Sequence, residues 1–547
     1  MRVLIIGGVA SGMSAATRLR RLDEAAEIVV YEMGDHVSYA NCGLPYFVSD
    51  VISNRDELLL QTPQSLWLRF RIEVKVNTRV TSIDRNSKTI ESFNLVTGEI
   101  ETSHYDKLVI TTGATPRILN IPGYERTLSL RDVKDADKLK AEIVRTKAKT
   151  ATVLGGGFIG IELAENLTQL GIAVTVVQRA AQILSNFDAE MIEPMQQRLE
   201  QNGINLELHV EPIEITATSV VLTNGKTIKA DLVISAAGVT PDNHLAKTAG
   251  LMIGKTGGLQ VNDKQQTSDE DIFAAGDAVE KQGELTGNSL LIPLANLANR
   301  HGRLIADVIA GIDTSAHDAL GTVIIGAFGL AAGITGLSEN QAKDKAIDYQ
   351  SIHLHPSSHA GYYPGSKRLS LKVLFDPNNG KLLGAQAIGE DGVDKRIDVI
   401  STAIRGGLTV NDLMDLELAY APQFGSAKDA INQAGYVGNN VFTAQTPTVQ
   451  WSELDDALRD PNTVLVDVRT STEHEAGSIP VAINIDVNHL RDHLDQLKGK
   501  KVIAHCQVGQ RGHTAVQILK GHGIDASNLD GGYLTWRSGM DAKSRIK

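Results

Sequence analysis

Cysteine is nearly missing from this chain, with two in 547 residues, Cys42 and Cys506. They fall in different apparent domains, so a disulfide framework is not expected. Most free cysteines are buried and inert, and only the neighbours of these two can say otherwise. The start of the chain also lacks a charged leader and long apolar core, because Met1 and Arg2 run straight into the strand-like Val3 to Ile6. A signal peptide is therefore not expected, and the cytoplasm is. Excess positive charge is absent too: the formal net charge of -12 disfavours nucleic acid and anionic membrane as partners. An anionic ligand has to be held by a local basic patch. From Ala319 to Ser338 no residue is charged, and about 20 such residues would cross a bilayer as a helix. Gly321, Gly326, Gly329, Gly333 and Gly336 break that run into short β-prone pieces, so buried strands are expected there and no membrane span.

What is present is ordinary for a large globular chain, 42% hydrophobic and 22% charged, and three or four domains are expected. Arg2 to Ile6 reads as a strand, Gly7-Gly8-Val9-Ala10-Ser11-Gly12 as a turn, Met13 to Leu22 as a helix, and Glu27 to Tyr31 as a strand ending at Glu32. A second copy runs from Ala151 to Leu154, through Gly155-Gly156-Gly157-Phe158-Ile159-Gly160, to a helix over Ile161 to Leu170 and a strand over Ala173 to Val177. Glycines at these points let backbone N–H groups approach a pyrophosphate at the positive end of a helix, and an acid after the second strand takes the ribose hydroxyls. Glu32 suits that role. Val9 replaces the middle glycine of the first copy, so the two copies together carry the reading.

Two more segments follow strands: Thr111-Thr112-Gly113-Ala114, and the stretch from Thr267 to Asp277, which puts a carboxylate where a ribityl chain would need one. In this order, the four segments resemble the flavoprotein disulfide reductases with two dinucleotide folds, over residues 1–443. The resemblance implies an α/β chain with two Rossmann-like dinucleotide-binding domains and an α+β dimerisation domain; from Val449, beyond it, strands each followed by a helical stretch make a further α/β unit expected. The implied divisions are an FAD-binding domain at 1–114 and 243–320, an NAD(P)H-binding domain at 115–242, a dimerisation domain at 321–443 and a linker at 444–448. Its implied cofactor contacts are Gly7, Val9, Ala10, Gly12, Glu32, Thr112, Gly113, Asp277, Tyr420 and Tyr436, with Gly155, Gly157, Phe158, Ile159, Gly160, Gln178, Arg179 and Gly238. Phe158 is expected to gate the flavin face. NADH-selective relatives carry an acid where Gln178 stands; with Arg179 next to it, NADPH is expected to be accepted, alone or beside NADH.

Cys42 has no second cysteine two to five residues away, so one thiol must both attack and be regenerated. The segment Val37 to Tyr46 resembles the single-cysteine subgroup of NADH oxidases, NADH peroxidases and coenzyme A disulfide reductases. Oxidase and peroxidase members usually place a histidine where Ala10 stands, and alanine supplies no proton; the turn looks like the coenzyme A branch. Arg18, Arg20 and Arg21 crowd one helix, with Arg18 and Arg21 on a shared face. They are either dipole complements in solvent or a grip on coenzyme A phosphates. The resemblance puts Ser14, Arg18, Arg21, Ser38, Asn41, Asn299 and Lys428 along the coenzyme; Phe70 stands where some relatives have lysine, so Arg69 or Arg71 is expected to substitute. Tyr362 and Tyr420 are either core tyrosines or, by the resemblance, donors to the thiolate leaving the partner subunit's Cys42, which implies a homodimer.

Cys506 opens the loop Cys506-Gln507-Val508-Gly509-Gln510-Arg511, between the strand Val502 to His505 and a helix expected to begin near His513. Successive N–H groups in such a loop make an anion-binding nest that stabilises thiolate and persulfide, and Arg511 is expected to add a fixed positive charge. With Asp467, Arg469, Glu473, Gly477 and the run Leu529 to Trp536, residues 449–547 resemble a single-domain rhodanese. Related cysteine phosphatases use a loop one residue longer. Coupled to the coenzyme A branch, this domain points to a coenzyme A persulfide substrate, a sulfane-sulfur donor as second partner, and coenzyme A as courier between Cys506 and Cys42. The whole chain resembles coenzyme A persulfide reductases. Two other readings remain: an NADH oxidase or peroxidase with an appended rhodanese, and a redox sensor or sulfur carrier of slow turnover.

Overall fold

The computed structural model describes residues 1–545, so the last two positions of the expected 449–547 domain lie outside the described residues. The chain divides into two compact units: one holds Met1–Val177 and Val210–Leu320, the other Gln178–His209 and everything from Gly321 onward.

In the first unit, a five-stranded sheet runs in the order Ile272–Ala274, Lys107–Ile110, Arg2–Ile6, Glu27–Tyr31, Glu73–Lys75, and every pairing is parallel. Continuous apolar strands such as Val3-Leu4-Ile5 are buried on both faces, as a sheet covered on both sides requires. The helix Ala10–Leu22 covers one face beside Ala295–Ile309. It starts three residues before the expected Met13, because the turn feeds directly into the helix. The second copy behaves likewise: its helix is Phe158–Gln169, and Thr150–Leu154 pairs in parallel with Ala173–Gln178 and Leu232–Ser235.

The second unit contains an antiparallel sheet, Val323–Ala327, Leu330–Gly336, Leu382–Gly389, Leu369–Phe375, Gln350–Leu354. Its first two strands come from the uncharged run Ala319 to Ser338; strands were expected there, and they pair as an antiparallel hairpin whose first strand leaves Ile324 exposed. Among the described residues no helix is long and apolar enough to cross a membrane. A parallel sheet follows, ordered Thr448–Val449, Ala526–Leu529, Lys501–His505, Thr463–Asp467, Ile483–Asn484. The expected linker is therefore partly structural: Thr448 already pairs with Asn528, and buried Thr446 bonds His513 Nδ1 at 2.7 Å. The segment 178–209, expected within the NAD(P)H domain, packs in this unit, where its helix Ala189–Gln201 lies against the helix Gly532–Ser544.

Candidate active sites

The two glycine turns have the shape of nucleotide cradles. Gly7 takes φ +103°, and a side chain there would stand inside the Thr111 carbonyl; one at Gly12 would stand inside the carbonyl of Gly7. Thr111 Oγ1 ties the turn by donating to the Ile6 and Gly7 carbonyls at 2.8 and 2.9 Å. The second turn repeats the arrangement at Gly155 and Gly160. Glu32 accepts from the Gly8 N–H at 2.8 Å and the Gly34 N–H at 2.7 Å, which sets its carboxylate at the end of its strand. Thr112 Oγ1 donates to Asp242 O at 2.5 Å, and Gly113 O accepts from Asp242 N–H at 2.9 Å. Asp277 lies in a single 3-10 turn, where burial pushes its carboxyl upward. Lys281 Nζ donates to the Gly276 and Val279 carbonyls at 2.7 and 3.0 Å, bracketing that aspartate. This turn, whose Gly7 and Gly12 leave no room for a side chain and beside which Glu32 is held in place, fits FAD. Val9 caps the first helix and Ala10 begins it; Gly157 caps the second, with Phe158 half-buried and Ile159 exposed at its start. Gly238 has φ +96° and accepts from Arg117 N–H at 3.0 Å. In the second unit, Gln178 ends its strand and Arg179 follows it, exposed.

Cys42 is exposed in the 3-10 turn Asn41–Gly43, just before the short helix Leu44–Val48. Desolvation of the sulfur pushes the thiol upward, and the carboxylates of Glu162 and Asp277 push the same way. Glu162 and Tyr46 were not foreseen. Burial lifts the Glu162 carboxyl to about 6, against a downward pull from neighbouring Tyr46. Ser49 Oγ and Asn166 Oδ1, one helical turn further along each partner, lie 2.5 Å apart.

Of the residues expected along coenzyme A, the fold brings Ser14 and Asn299 together at 2.7 Å. Arg18 is bound to Asp307 at 2.7 Å, and Arg21 on the same helix face is exposed. Arg20, buried, donates to the carbonyls of Phe70, Asp23, Glu24, Ala26 and Arg71, which makes it a structural clamp. Arg71 ends its helix at φ +47° and lies 5.4 Å over the Trp67 ring. Ser38, at φ +51°, bonds Gly8 O through its N–H, and Asn41 Oδ1 is 3.9 Å from the Cys42 sulfur. In the second unit Lys428 is exposed. Tyr362 and Tyr420 come together, hydroxyl to hydroxyl at 3.0 Å, while 76% and 49% exposed, which rules out the core reading for both. Tyr436 stands partly exposed on the helix Ala430–Phe442.

Cys506 is fully buried at the end of the strand Lys501–His505. The following helix starts at Gln510, earlier than His513, so the loop's last two residues already belong to its first turn. Asn528 Nδ2 pins the loop by donating to Gly509 O at 3.1 Å. Arg469 binds Asp467, donates to Gln507 Oε1 at 3.0 Å and lies 4.5 Å over the Tyr533 ring. Arg511, expected to add a fixed positive charge, carries it within an ion pair: Glu473 accepts from both Nη atoms at 2.7 and 2.6 Å.

The description pyridine nucleotide-disulphide oxidoreductase matches residues 1–302, its dimerisation domain 325–431, and a rhodanese-like domain 450–538. The chain belongs to the pyridine nucleotide-disulphide oxidoreductase family. The family is FAD- and NAD(P)H-dependent, in keeping with the two cradles. A coenzyme A disulfide reductase of Staphylococcus epidermidis is 33% identical over 437 residues, covering 80% of this chain and 99% of that one. The crystal structure of reduced Bacillus anthracis CoADR-RHD superposes with TM-score 0.97 at 41% identity, over 100% of this chain and 98% of that one. An NAD-dependent persulfide reductase from A. fulgidus follows at TM-score 0.92 and 34% identity, over 98% and 100%.

Proposed function

We propose that this oxidoreductase is an FAD-dependent, NAD(P)H-driven reductase of coenzyme A persulfide and coenzyme A disulfide, acting in the cytoplasm as a homodimer, with a C-terminal domain that transfers sulfane sulfur. The observation that carries it is the division of the only two thiols: Cys42 exposed beside the FAD cradle, Cys506 buried in a separate nest-like loop. Full-length likeness to a persulfide reductase and to a coenzyme A disulfide reductase–rhodanese structure supports the same reading. Gly7 to Gly12, Glu32, Thr112, Gly113 and Asp277 would hold FAD; the second glycine turn with Gln178 and Arg179 would hold the nicotinamide nucleotide. Bound FAD supplies the two-electron path between nicotinamide and thiol.

Cys42, as thiolate, attacks the coenzyme A sulfur of the persulfide, forms a Cys42–coenzyme A disulfide and expels hydrosulfide. With coenzyme A disulfide, the leaving group is coenzyme A thiolate. Two electrons from NAD(P)H then split the mixed disulfide into two thiolates. Because the surroundings push the Cys42 thiol upward, attack needs a nearby proton acceptor. In the dimer, Tyr362 and Tyr420 donate to the thiolate leaving the partner's Cys42. Ser14, Arg18, Arg21, Ser38, Asn41, Arg71, Asn299 and Lys428 hold the coenzyme. Ala10 offers no proton to a peroxide, which speaks against an oxidase or peroxidase. The test is Cys42→Ser: FAD loading and its bleaching by NAD(P)H persist, while reduction of both coenzyme A substrates falls at least a thousandfold. Near-normal turnover would sink the mechanism.

A further inference from the structure

The second unit carries a buried ionic chain that the mechanism above does not use. Lys372, fully buried, contacts Glu190 at 2.5 Å, Glu339 at 2.6 Å and Asp188 at 2.9 Å. Three carboxylates this close could hold a metal ion, but the ammonium fills their centre. Glu190 continues the chain, with Oε1 3.1 Å from His353 Nε2. On its other side, His353 meets Asp530 Oδ2 twice, through Nδ1 at 2.6 Å and through its backbone N–H at 2.9 Å. His353, Glu190 and Asp530 are all buried. Burial at this depth penalises an unpaired charge heavily, so each member holds the next in place.

Asp530 is the last residue before the turn that closes the sulfur-transfer loop. Gly531 and Gly532 both take positive φ, at +66° and +64°. A side chain at Gly531 would meet His353 Cβ at 2.7 Å, and one at Gly532 would meet the Cys506 carbonyl at 2.5 Å. Beyond the turn, Tyr533 N–H donates to Cys506 O at 2.8 Å and Leu534 N–H donates to Gln507 O at 3.1 Å. A trans peptide holds its C=O and N–H antiparallel. Drawing the Cys506 and Gln507 carbonyls toward residues 533–534 therefore turns the N–H groups of Gln507 and Val508 the other way, as an anion nest requires.

We propose that His353, from the antiparallel sheet of the dimerisation domain, is a positioning residue of the sulfur-transfer site: by anchoring Asp530 it fixes the Gly531-Gly532 turn and so the orientation of the Cys506 loop amides. The inference rests on the sulfur-transfer reading of Cys506. It makes the rhodanese-like domain dependent on its neighbour, beyond what simple docking would do. The contact is reinforced around it by His355 Nε2 to Thr535 Oγ1 at 2.8 Å and by Ser538 Oγ to Glu190 O at 2.6 Å.

The experiment uses the full-length, FAD-loaded protein with thiosulfate as sulfur donor and cyanide as acceptor, alongside alkylation of Cys506 by iodoacetamide across pH in a Cys42→Ser background. His353→Ala should cut sulfur-transfer kcat about tenfold or more and shift the Cys506 alkylation profile to higher pH, because the loop amides no longer favour thiolate. His353→Asn, which keeps a side-chain donor toward Asp530, should recover much of both. With Cys42 intact, NAD(P)H-driven reduction of coenzyme A disulfide should stay near wild type in both variants. If His353→Ala does not fold, Glu190→Gln, which weakens the hold on Nε2, reads the same chain with a smaller shift in the same direction. An unchanged alkylation profile in the folded variants overturns the proposal, even if kcat falls. A wild-type protein without sulfur transfer from any sulfane donor overturns the underlying reading of Cys506 instead.

Discussion

Arg511 and Glu473 form a two-point ion pair at the edge of the Cys506 loop, both side chains 35% exposed. The Arg511 guanidinium beside Glu473 holds its carboxyl down at about 2, and the arginine is raised in turn. At any physiological pH both are charged, so the loop presents a neutralised pair to an incoming donor.

Removing the carboxylate should expose the charge. Glu473→Gln is expected to lower the KM for thiosulfate, a dianion, by about threefold to tenfold at low ionic strength, with the gain fading as salt screens it. Steady-state sulfur transfer to cyanide at two salt concentrations checks this. An unchanged or higher KM at low salt would mean that Arg511 does not face the donor.

The two thiols should be separable. Cys506→Ser is expected to abolish sulfur transfer from donor to coenzyme A yet leave reduction of pre-formed coenzyme A persulfide largely intact. A coupled assay started with donor and catalytic coenzyme A should then fail, and recover when an independent rhodanese supplies the persulfide. Loss of persulfide reduction in a folded, FAD-loaded variant would place Cys506 in the reductive step.

Nucleotide choice turns on Gln178 and Arg179. With no acid to repel a 2′-phosphate and an exposed arginine next along, NADPH should be used, and Arg179→Ala should lower kcat/KM for NADPH about tenfold while sparing NADH. Wild-type NADPH efficiency more than a hundredfold below NADH, about 2.7 kcal/mol, would reject this.

Burial would drive His353 toward neutrality, but its hydrogen bonds to Asp530 and Glu190 outweigh that and lift it from 6.5 to about 9. A histidine raised in the folded state contributes stability in full below its unfolded pKa and loses it as pH rises through the folded one. The advantage of wild type over His353→Gln in thermal unfolding should therefore be largest below about pH 6.5 and shrink through about pH 9. A gap that stays constant or widens over this window would show that His353 is neutral in the fold.

Much of this molecule was legible from local spacing. Glycine turns, a lone cysteine before a helix and a six-residue loop ending in arginine each work through backbone N–H groups of consecutive residues, so their chemistry is written in contiguous sequence. The strand-loop-helix order that implied two dinucleotide folds is local for the same reason. Two helices start at Ala10 and Gln510, ahead of the Met13 and His513 that the spacing predicts, since turn and first helical residues look alike in sequence. The pairings that tune the sites were not readable. His353 and Asp530 are 177 positions apart, and Lys372 on a strand looks like a solvated lysine until the fold surrounds it with carboxylates. Nothing in the sequence marks Glu162, whose carboxyl is raised only because the fold buries it. Sequence by itself determined which groups could do chemistry. Only tertiary structure decided which charges are buried, paired or left open, because desolvation and ion pairing depend on neighbours that the chain brings together from afar.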